Sequence, residues 1–208
     1  MTDVSGSSQA RRSREVAAVV LAAGQATRMG EQKLLLPVGE RPMVRRVVDA
    51  ALGSRAARTI VVVGHESDAV LAALDDAPVI VTMNPDYADG MSTSLQAGLR
   101  ASAARCDAAI FLLGDQPYVT ATLIDEIIDR FVSTGAAVVR PAVCGRPANP
   151  VLIGSELFPE ILEQRGDVGG REIVERHSEE VSLVSVDDPH VCVDIDSPQD
   201  YEATREST

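Results

Sequence analysis

A loop that combines small residues with two cations follows the first apolar run of the sequence. Leu21, Ala22, Ala23 and Gly24 come first, and Arg28 and Lys33 follow them. Ala22, Ala23 and Gly24 have almost no side chain, so backbone N–H groups can approach a phosphate or a base closely. Arg28 and Lys33 add positive charge to a chain whose formal net charge is −12. The loop therefore suits a nucleotide, although a glycine turn with two solvated cations has the same composition. Its glycine spacing matches neither a Walker loop nor the GxGxxG motif.

Two acidic segments supply oxygen ligands of the kind that Mg²⁺ uses. Asp115 follows a buried apolar run through Gly114, and Asp194 and Asp196 stand two positions apart near the C-terminus. In an extended segment these two carboxylates face the same side, so one can join Asp115 on a metal while the other caps the following helix. The alternatives are that Asp115 ends a strand or caps the helix near Thr120, and that the acidic pair is a solvated turn.

The elements that must position these residues alternate between Val- and Ile-rich runs and amphipathic stretches. This pattern predicts βαβ units and an α/β domain with a mixed sheet. Strands are predicted over residues 16–21, 59–63, 79–82, 107–113 and 181–186, with the fourth in the centre of the sheet and an antiparallel excursion over 138–153. Helices are predicted over 42–53, 68–74 and 120–131, after a cap at Ser92 or Ser94, and from Ser197; residues 191–195 are predicted to be extended.

Length, charge and composition exclude several classes of function. The 208 residues suit one domain, which we expect over 16–208 after a disordered leader over 1–15. A net charge of −12 disfavours nucleic acid and anionic membranes as partners. No apolar run approaches the length of a membrane span. The three cysteines, Cys106, Cys144 and Cys192, have no CxxC spacing. We therefore expect a cytoplasmic enzyme or small-molecule binder.

Several motifs together resemble the nucleotidyltransferases of molybdenum cofactor maturation. The resemblance covers residues 16–201, and the motifs follow one another in the same order and at the same spacing as in that family. The motifs are the loop at 21–33, residues 84–95 (Asn-Pro-Asp-Tyr-Ala-Asp-Gly-Met-Ser-Thr-Ser-Leu), the strand end at 112–117, Asn149-Pro150-Val151, residues 166–171 and residues 194–200. Ala23 stands where the guanylyltransferase branch typically carries Gly, so the chain is most similar to the cytidylyltransferase branch. Asn149 departs from the His that many relatives carry before the proline.

The resemblance implies a Rossmann-like, three-layer α/β/α fold with a mixed, mostly parallel sheet. It also implies transfer of CMP from CTP to the phosphate of molybdopterin cofactor, with Mg²⁺ or Mn²⁺ as cofactor and a molybdenum hydroxylase as client. The residues it assigns are Arg28, Lys33 and Asp115 for catalysis; Leu21, Ala22, Ala23, Gly24, Asn84, Gly90, Ser92 and Ser94 for the nucleotide; Asp115 with Asp194 or Asp196 for the metal; and Arg146, Asn149 and Arg171 for the acceptor.

Two other functions fit the same residues. The first is another nucleotidyltransferase of this fold, either a guanylyltransferase or an enzyme that acts on a sugar phosphate or an alcohol phosphate. The second is a non-catalytic protein that carries a finished dinucleotide cofactor. The cations and the carboxylates disfavour the carrier, because a carrier needs no metal beside the α-phosphate.

Overall fold

The computed structural model describes residues 14–25, 32–102, 106–166 and 170–206. Its strands are β1 (Val16–Ala22), β2 (Pro37–Val38), β3 (Arg41–Pro42), β4 (Arg58–Val63), β5 (Ile80–Met83), β6 (Ala108–Leu113), β7 (Val138–Val143), β8 (Arg146–Pro147), β9 (Val151–Gly154) and β10 (Val181–Val186). Its α-helices are α1 (Met43–Leu52), α2 (Ser67–Leu74), α3 (Met91–Ser102), α4 (Ala121–Thr134), α5 (Phe158–Glu163), α6 (Arg171–Arg176) and α7 (Pro198–Glu206). Short 3₁₀ helices begin at Lys33, Tyr87, Ser155, Ser178 and Pro189.

The main sheet is mixed and mostly parallel, as the sequence predicts. Its strand order is β10-β7-β9-β6-β1-β4-β5, with β8 added to β7. The parallel pairs are β10 with β7, β6 with β1, β1 with β4, and β4 with β5. The strand β9 runs antiparallel to both β6 and β7, which confirms the predicted antiparallel excursion. The strand β6 lies in the middle of the order, also as predicted.

Helices cover both faces of this sheet and make the fold three-layered. Side chains alternate along β1, so Ala18 and Val20 face one hydrophobic cluster while Ala17 and Val19 face another. The helices α1, α2 and α4 supply the first cluster, and α3, α5 and α6 supply the second. Strands that are covered on both faces are largely apolar, which is why β1, β6 and the part of β4 from Ile60 onward are continuous apolar runs. The Rossmann-like α/β/α prediction is confirmed.

The helix predictions hold where local signals dominate. The helix α1 begins after Pro42 and ends before Gly53, and Thr120 caps α4 by accepting a hydrogen bond from the N–H of Leu123. The helix α7 begins after Ser197, whose hydroxyl accepts from the N–H of Asp200 while the Asp200 carboxylate accepts from the N–H of Ser197. This reciprocal cap leaves Asp115, Asp194 and Asp196 without a capping role. No helix in the described ranges is long and apolar enough to span a membrane.

Two local predictions are wrong because tertiary partners take the groups involved. Ser92 and Ser94 lie inside α3 rather than at its cap: the Ser92 hydroxyl donates to the carbonyl of Gly166, and the Ser94 hydroxyl accepts from the Asn84 amide. Residues 191–195 form no strand. A 3₁₀ helix, Pro189–Cys192, begins the segment, and the N–H of Ile195 then donates to the carbonyl of Asp115 instead of joining a ladder.

Candidate active site

Three segments that are far apart in the sequence meet beyond the carboxyl ends of β1 and β6. Lys33 begins a 3₁₀ helix, Asp115 follows β6, and Asp196 precedes α7. The Lys33 ammonium lies 2.6 Å from Oδ2 of Asp115 and 2.7 Å from Oδ1 of Asp196. The carboxyl ends of strands are where open α/β sheets bind their ligands. The structure therefore brings Lys33, Asp115 and Asp196 together at the expected edge.

A glycine keeps the end of β6 close to the end of β1. The N–H of Gly114 donates to the carbonyl of Leu21 at 3.0 Å, and a Cβ built on Gly114 would lie 2.9 Å from that same oxygen. A larger residue at this position would push the two strand ends apart. Because Asp115 is the next residue, Gly114 fixes the carboxylate beside Lys33.

The charges of this cluster reinforce the ammonium form of Lys33. Burial on its own would lower the pKa of Lys33, but the charges and hydrogen bonds of Asp115 and then Asp196 outweigh it, so the pKa is raised. The side chains of Lys33 and Asp115 are only 15% and 19% exposed. Lys33 thus offers a permanent positive charge at a partly desolvated position, where electrostatic interactions are stronger than in water.

Asp194 adds a third carboxylate to the same cluster. Protein packed around the carboxyl of Asp194, followed by the negative charges of Asp115 and Asp196, raises its pKa to about 6, although the residue keeps contact with solvent. Between the two aspartates, Ile195 is fully buried against Val38 and Met43. This apolar anchor holds the segment in place and leaves Asp194 and Asp196 beside Asp115.

The donor set fits a divalent cation that is shared with a substrate. Three carboxylates face one described cation, and the buried Oδ1 of Asp115 has no hydrogen-bond partner among the described residues. No three His, Cys, Asp or Glu side chains within those ranges form a closed metal-binding group. Hard cations such as Mg²⁺ commonly take one or two carboxylates and complete their shell with substrate phosphates and water. Asp115 together with Asp194 or Asp196 matches that requirement.

Two cavities share a wall at these strand ends. The first, of about 490 Å³, is lined by Lys33 and Asp115 and by residues of β1, the 3₁₀ helix Tyr87–Asp89 and α3. The second, of about 500 Å³, is lined by residues of β6, β9 and α6 and by Arg140. Leu21, Met91 and Leu113 line both. The arrangement suits two substrates that meet at this wall.

Comparison with known proteins fixes the family. The model for the MobA-like NTP transferase domain matches residues 18–181, which contain β1 from Ala18 onward, β2 to β9 and all the residues that line the two cavities. The chain belongs to the MobA-like nucleotidyltransferase family. The molybdenum cofactor cytidylyltransferase of Escherichia coli is 24% identical over 90% of this chain and 94% of its own length. Nicotine blue oxidoreductase of Paenarthrobacter nicotinovorans is 26% identical over 88% and 92%.

The chain is also similar to proteins with other names. Bifunctional protein GlmU of Desulfotalea psychrophila is 32% identical over 67% of this chain, and the chain spans only 42% of the length of that relative. A solved structure of Rv0371c from Mycobacterium tuberculosis in complex with manganese superposes with a TM-score of 0.78 at 28% identity, covering 93% of this chain and 100% of that one. A divalent metal therefore accompanies this fold in a similar protein.

The sequence-predicted nucleotide residues of this MobA-like chain divide into two groups. Leu21, Ala23, Gly24, Gly90 and Ser94 line the first cavity, whereas Ala22, Asn84 and Ser92 are buried outside it. The Asn84 amide donates to the hydroxyls of Thr93 and Ser94, both at 2.9 Å. Asn84 therefore holds together the loop and the helix that form one side of the cavity, and Arg28 lies outside the described residues.

The predicted acceptor residues also divide. Asn149 and Arg171 line the second cavity, whereas Arg146 is exposed on β8 and is not among the residues that line it. Arg171 forms an ion pair with Glu175 at 2.7 Å and is 86% exposed. Of the predicted acceptor residues, this cavity therefore holds the amide of Asn149 and the guanidinium of Arg171, which is already paired with Glu175.

Sequence reasoning missed several polar residues of the cavities, among them Gln32 and Arg140. Gln32 lines the first cavity and is 7% exposed; its amide nitrogen donates to the carbonyl of His65, and its Oε1 has no partner in the described part of the chain. Arg140 lines the second cavity from within β7. In the sequence only their residue types could have pointed to them. Gln32 is a polar residue next to Lys33, and Arg140 is a single charged residue inside an apolar strand.

Proposed function

We propose that this nucleotidyltransferase transfers CMP from CTP to the terminal phosphate of molybdopterin cofactor and releases pyrophosphate. The observation that carries the proposal is the shared wall of the two cavities, with Lys33 and Asp115 on the first side. A nucleotide in the first cavity and a phosphorylated acceptor in the second would meet at Leu21 and Leu113. The similarity to a full-length molybdenum cofactor cytidylyltransferase supports the choice of acceptor.

The nucleotide side of the reaction assigns one role to each charged residue. Lys33, together with Arg28, binds the triphosphate and stabilises the negative charge that develops on pyrophosphate. Asp115 with Asp194 or Asp196 holds Mg²⁺ or Mn²⁺, which supplies charge neutralisation of the phosphates when bound. Ala23 and Gly24 border the base and the ribose. In phosphoryl-type transfers of this kind the protein contributes mainly positioning and electrostatic stabilisation.

The chemical step is one displacement at the α-phosphorus of CTP. An oxygen of the acceptor phosphate forms the new P–O bond, and the bond from the α-phosphorus to the bridging oxygen of pyrophosphate breaks and leaves its electron pair on pyrophosphate. No covalent intermediate with the protein is required. We further propose a cytoplasmic location and a molybdenum hydroxylase as the recipient of the product.

A sugar-phosphate acceptor is the second candidate. A relative that is not named for molybdenum cofactor, bifunctional protein GlmU, matches two thirds of this chain at 32% identity, so a molybdopterin acceptor does not follow from the family alone. The Lys33 and Asp115 pair would serve such a reaction equally well, so the two candidates differ only in the occupant of the second cavity and in the base of the nucleotide.

A nucleotide panel tests the proposal. Thermal unfolding is measured with CTP, GTP, UTP and ATP, each with and without Mg²⁺, followed by turnover with molybdopterin cofactor and with a sugar phosphate. Ligand at about 100 times its Kd stabilises by about 2.7 kcal/mol, or several degrees for a domain of this size. A metal-dependent shift with CTP and turnover of molybdopterin cofactor are expected. Turnover of the sugar phosphate with UTP would instead support the second candidate.

A further inference from the structure

Arg140 is a guanidinium on the wall of the second cavity, and none of the described carboxylates pairs with it. It is the third residue of β7, where its backbone pairs with Leu183 of β10. Its Nε donates to the carbonyl of Ala148 at 3.0 Å, and no ion pair joins Arg140 to any acidic residue of the described ranges. No acceptor among the described residues takes its other N–H donors, which leaves them available to a ligand as far as the structure describes the chain.

This position is costly for a charge that has no counter-ion. The protein around Arg140 removes part of its hydration, and this burial lowers the pKa of the guanidinium. Arginine nevertheless stays protonated in proteins, so the positive charge persists in a partly apolar site. Buried charges are normally paired, because an unpaired one loses its hydration without compensation. A ligand that brings a negative charge would supply the missing partner.

The other charges of the cavity do not supply it. Arg171 and Glu175 both line the cavity, but they bind each other at 2.7 Å and so cancel as a pair. Arg146 lies outside, exposed on β8. Among the described lining residues Arg140 is therefore the cation that remains uncompensated, which gives this cavity a local positive charge inside a chain of net charge −12.

The rest of the wall is largely apolar. Its apolar members are Leu21, Met91, Leu95, Phe111, Leu113, Pro147, Val151, Ile153 and Val174. An apolar enclosure of about 500 Å³ with one fixed cation suits a ligand with a flat or apolar body and one anionic group. The guanidinium fork binds phosphate and carboxylate oxygens in pairs, which selects an oxyanion over a neutral group.

We propose that Arg140 binds the phosphate monoester of the acceptor and positions it beside the nucleotide cavity. The inference deepens the proposed function, because it rests on the second cavity being the acceptor site. The bond from Arg140 Nε to Ala148 orients the guanidinium, and the N–H of Ala148 is itself held by the carbonyl of Pro141 at 2.9 Å. The fork is thus fixed before the ligand arrives. Asn149, next to Ala148, adds a neutral amide at the same wall.

The test uses phenyl phosphate, a small aromatic phosphate monoester, as the probe. Its Kd is measured by titration calorimetry on the whole protein, with phenol as the neutral counterpart. The variant Arg140→Met keeps the apolar bulk and removes the charge, and is expected to raise the Kd tenfold to a hundredfold, the range for a lost hydrogen bond to a charged group. Arg140→Lys keeps the charge but lacks the forked pair of donors, so its Kd should lie between that of the unchanged protein and that of Arg140→Met.

Two further variants locate the binding. Arg130→Met is the matched control, because Arg130 is also without an ion pair in the described residues but is exposed on α4, on the other face of the sheet. It should leave the Kd unchanged. Lys33→Met removes the cation of the first cavity and should leave most of the phenyl phosphate binding. Loss of binding in Lys33→Met with retention in Arg140→Met would overturn the proposal, as would equal binding of phenol or no binding by the unchanged protein.

The same variants separate this inference from the proposed function. If molybdopterin cofactor is the substrate, Arg140→Met should raise the KM for that acceptor at least tenfold while the KM for CTP changes less than twofold. If the unchanged protein gives no turnover with molybdopterin cofactor, the proposed function fails, and the phenyl phosphate titration still decides the role of Arg140. Melting temperatures of all variants, measured by circular dichroism, establish that each one is folded.

Discussion

The ammonium of Lys33 lies 2.6 Å from a carboxylate oxygen of Asp115, so the two residues that the sequence assigns to phosphate and to metal bind each other. Each therefore holds the other in place before a substrate arrives. In the proposed mechanism, a bound metal would give the Asp115 carboxylate a partner of opposite charge, and a bound triphosphate would do the same for the Lys33 ammonium. The two side chains are therefore preorganised: little of their conformation would have to change when a ligand binds.

Removing either charge of this pair should slow the reaction by about 10²–10³-fold, by analogy with the loss of one donor to a developing charge. Lys33→Met removes the cation that faces the leaving pyrophosphate in the proposed mechanism, and Asp115→Asn removes the carboxylate charge with little change in shape. Steady-state turnover of CTP with molybdopterin cofactor is the measurement, and Arg130→Met is the control. Turnover within a factor of three of the unchanged protein in Lys33→Met would remove Lys33 from the catalytic residues.

Lys33 is the only lysine among the 208 residues, which gives a direct probe of the nucleotide cavity. Acetylation with an amine-reactive ester at alkaline pH should modify this one side chain together with the α-amino group; Lys33 should react more slowly, because its raised pKa reduces the fraction of neutral amine. We expect CTP with Mg²⁺ to reduce acetylation of Lys33 at least threefold, because the triphosphate covers the ammonium, and to leave the α-amino group unaffected. Peptide mass spectrometry measures both sites in the same sample. Equal modification of Lys33 with and without a saturating nucleotide would place the triphosphate elsewhere.

Substitution of Ala23 tests the choice of base. Ala23 lines the first cavity, and its methyl group lies 2.9 Å from the position that a Cβ on Gly64 would take. Ala23→Gly removes this methyl group and enlarges the cavity next to Tyr87. We expect the thermal shift with GTP to increase relative to that with CTP. If the four nucleotides keep the same order of thermal shifts, other groups recognise the base. The first of these to test is Gln32, whose Oε1 has no partner among the described residues.

The sequence predicts those parts of the molecule whose structure is determined by local patterns of residues. The runs that become β1, β4 and β6 are apolar because helices cover both faces, and that signal needs no knowledge of the partners. The ion pair from Lys33 to Asp115 depends on which strand ends become neighbours, and residue types alone do not show it. Arg140 is missed for a related reason: a charge inside an apolar run interrupts the strand pattern, whereas the structure places it on a cavity wall.

A histidine that directly follows α6, His177, should make stability depend on pH. Hydrogen bonds to Glu180 and then to Glu160 raise the pKa of His177, and Arg176 also binds Glu160. A raised pKa in the folded state means that protonation stabilises the fold. This contribution is complete below the unfolded pKa of about 6.5 and is lost as the pH rises through the folded value.

His177→Gln should therefore lower the melting temperature at pH 5.5 more than at pH 8.5. Melting curves of both proteins across that interval are the measurement. A difference between the two proteins that stays constant with pH would show that His177 contributes packing alone.

The helix α3 packs closely against the sheet at Gly98. A Cβ built on Gly98 would overlap Cγ1 of Val19 in β1 and lie 3.0 Å from Cγ2 of Val62 in β4. In an exposed helix, replacing Gly by Ala stabilises by about 1 kcal/mol. Here the added methyl group meets two β-branched side chains in a close-packed core, so Gly98→Ala should destabilise by about 1–3 kcal/mol.

A double-mutant cycle identifies the cause of that loss. Val19→Ala removes the Cγ1 atom that the new methyl group would meet, at the expense of a cavity of its own. If the overlap is the cause, combining Gly98→Ala with Val19→Ala should cost less than the sum of the two single changes, because each substitution makes room for the other. Urea unfolding of the four proteins gives the coupling. Strictly additive losses, or a stabilising Gly98→Ala, would mean that α3 and β1 can move apart without penalty.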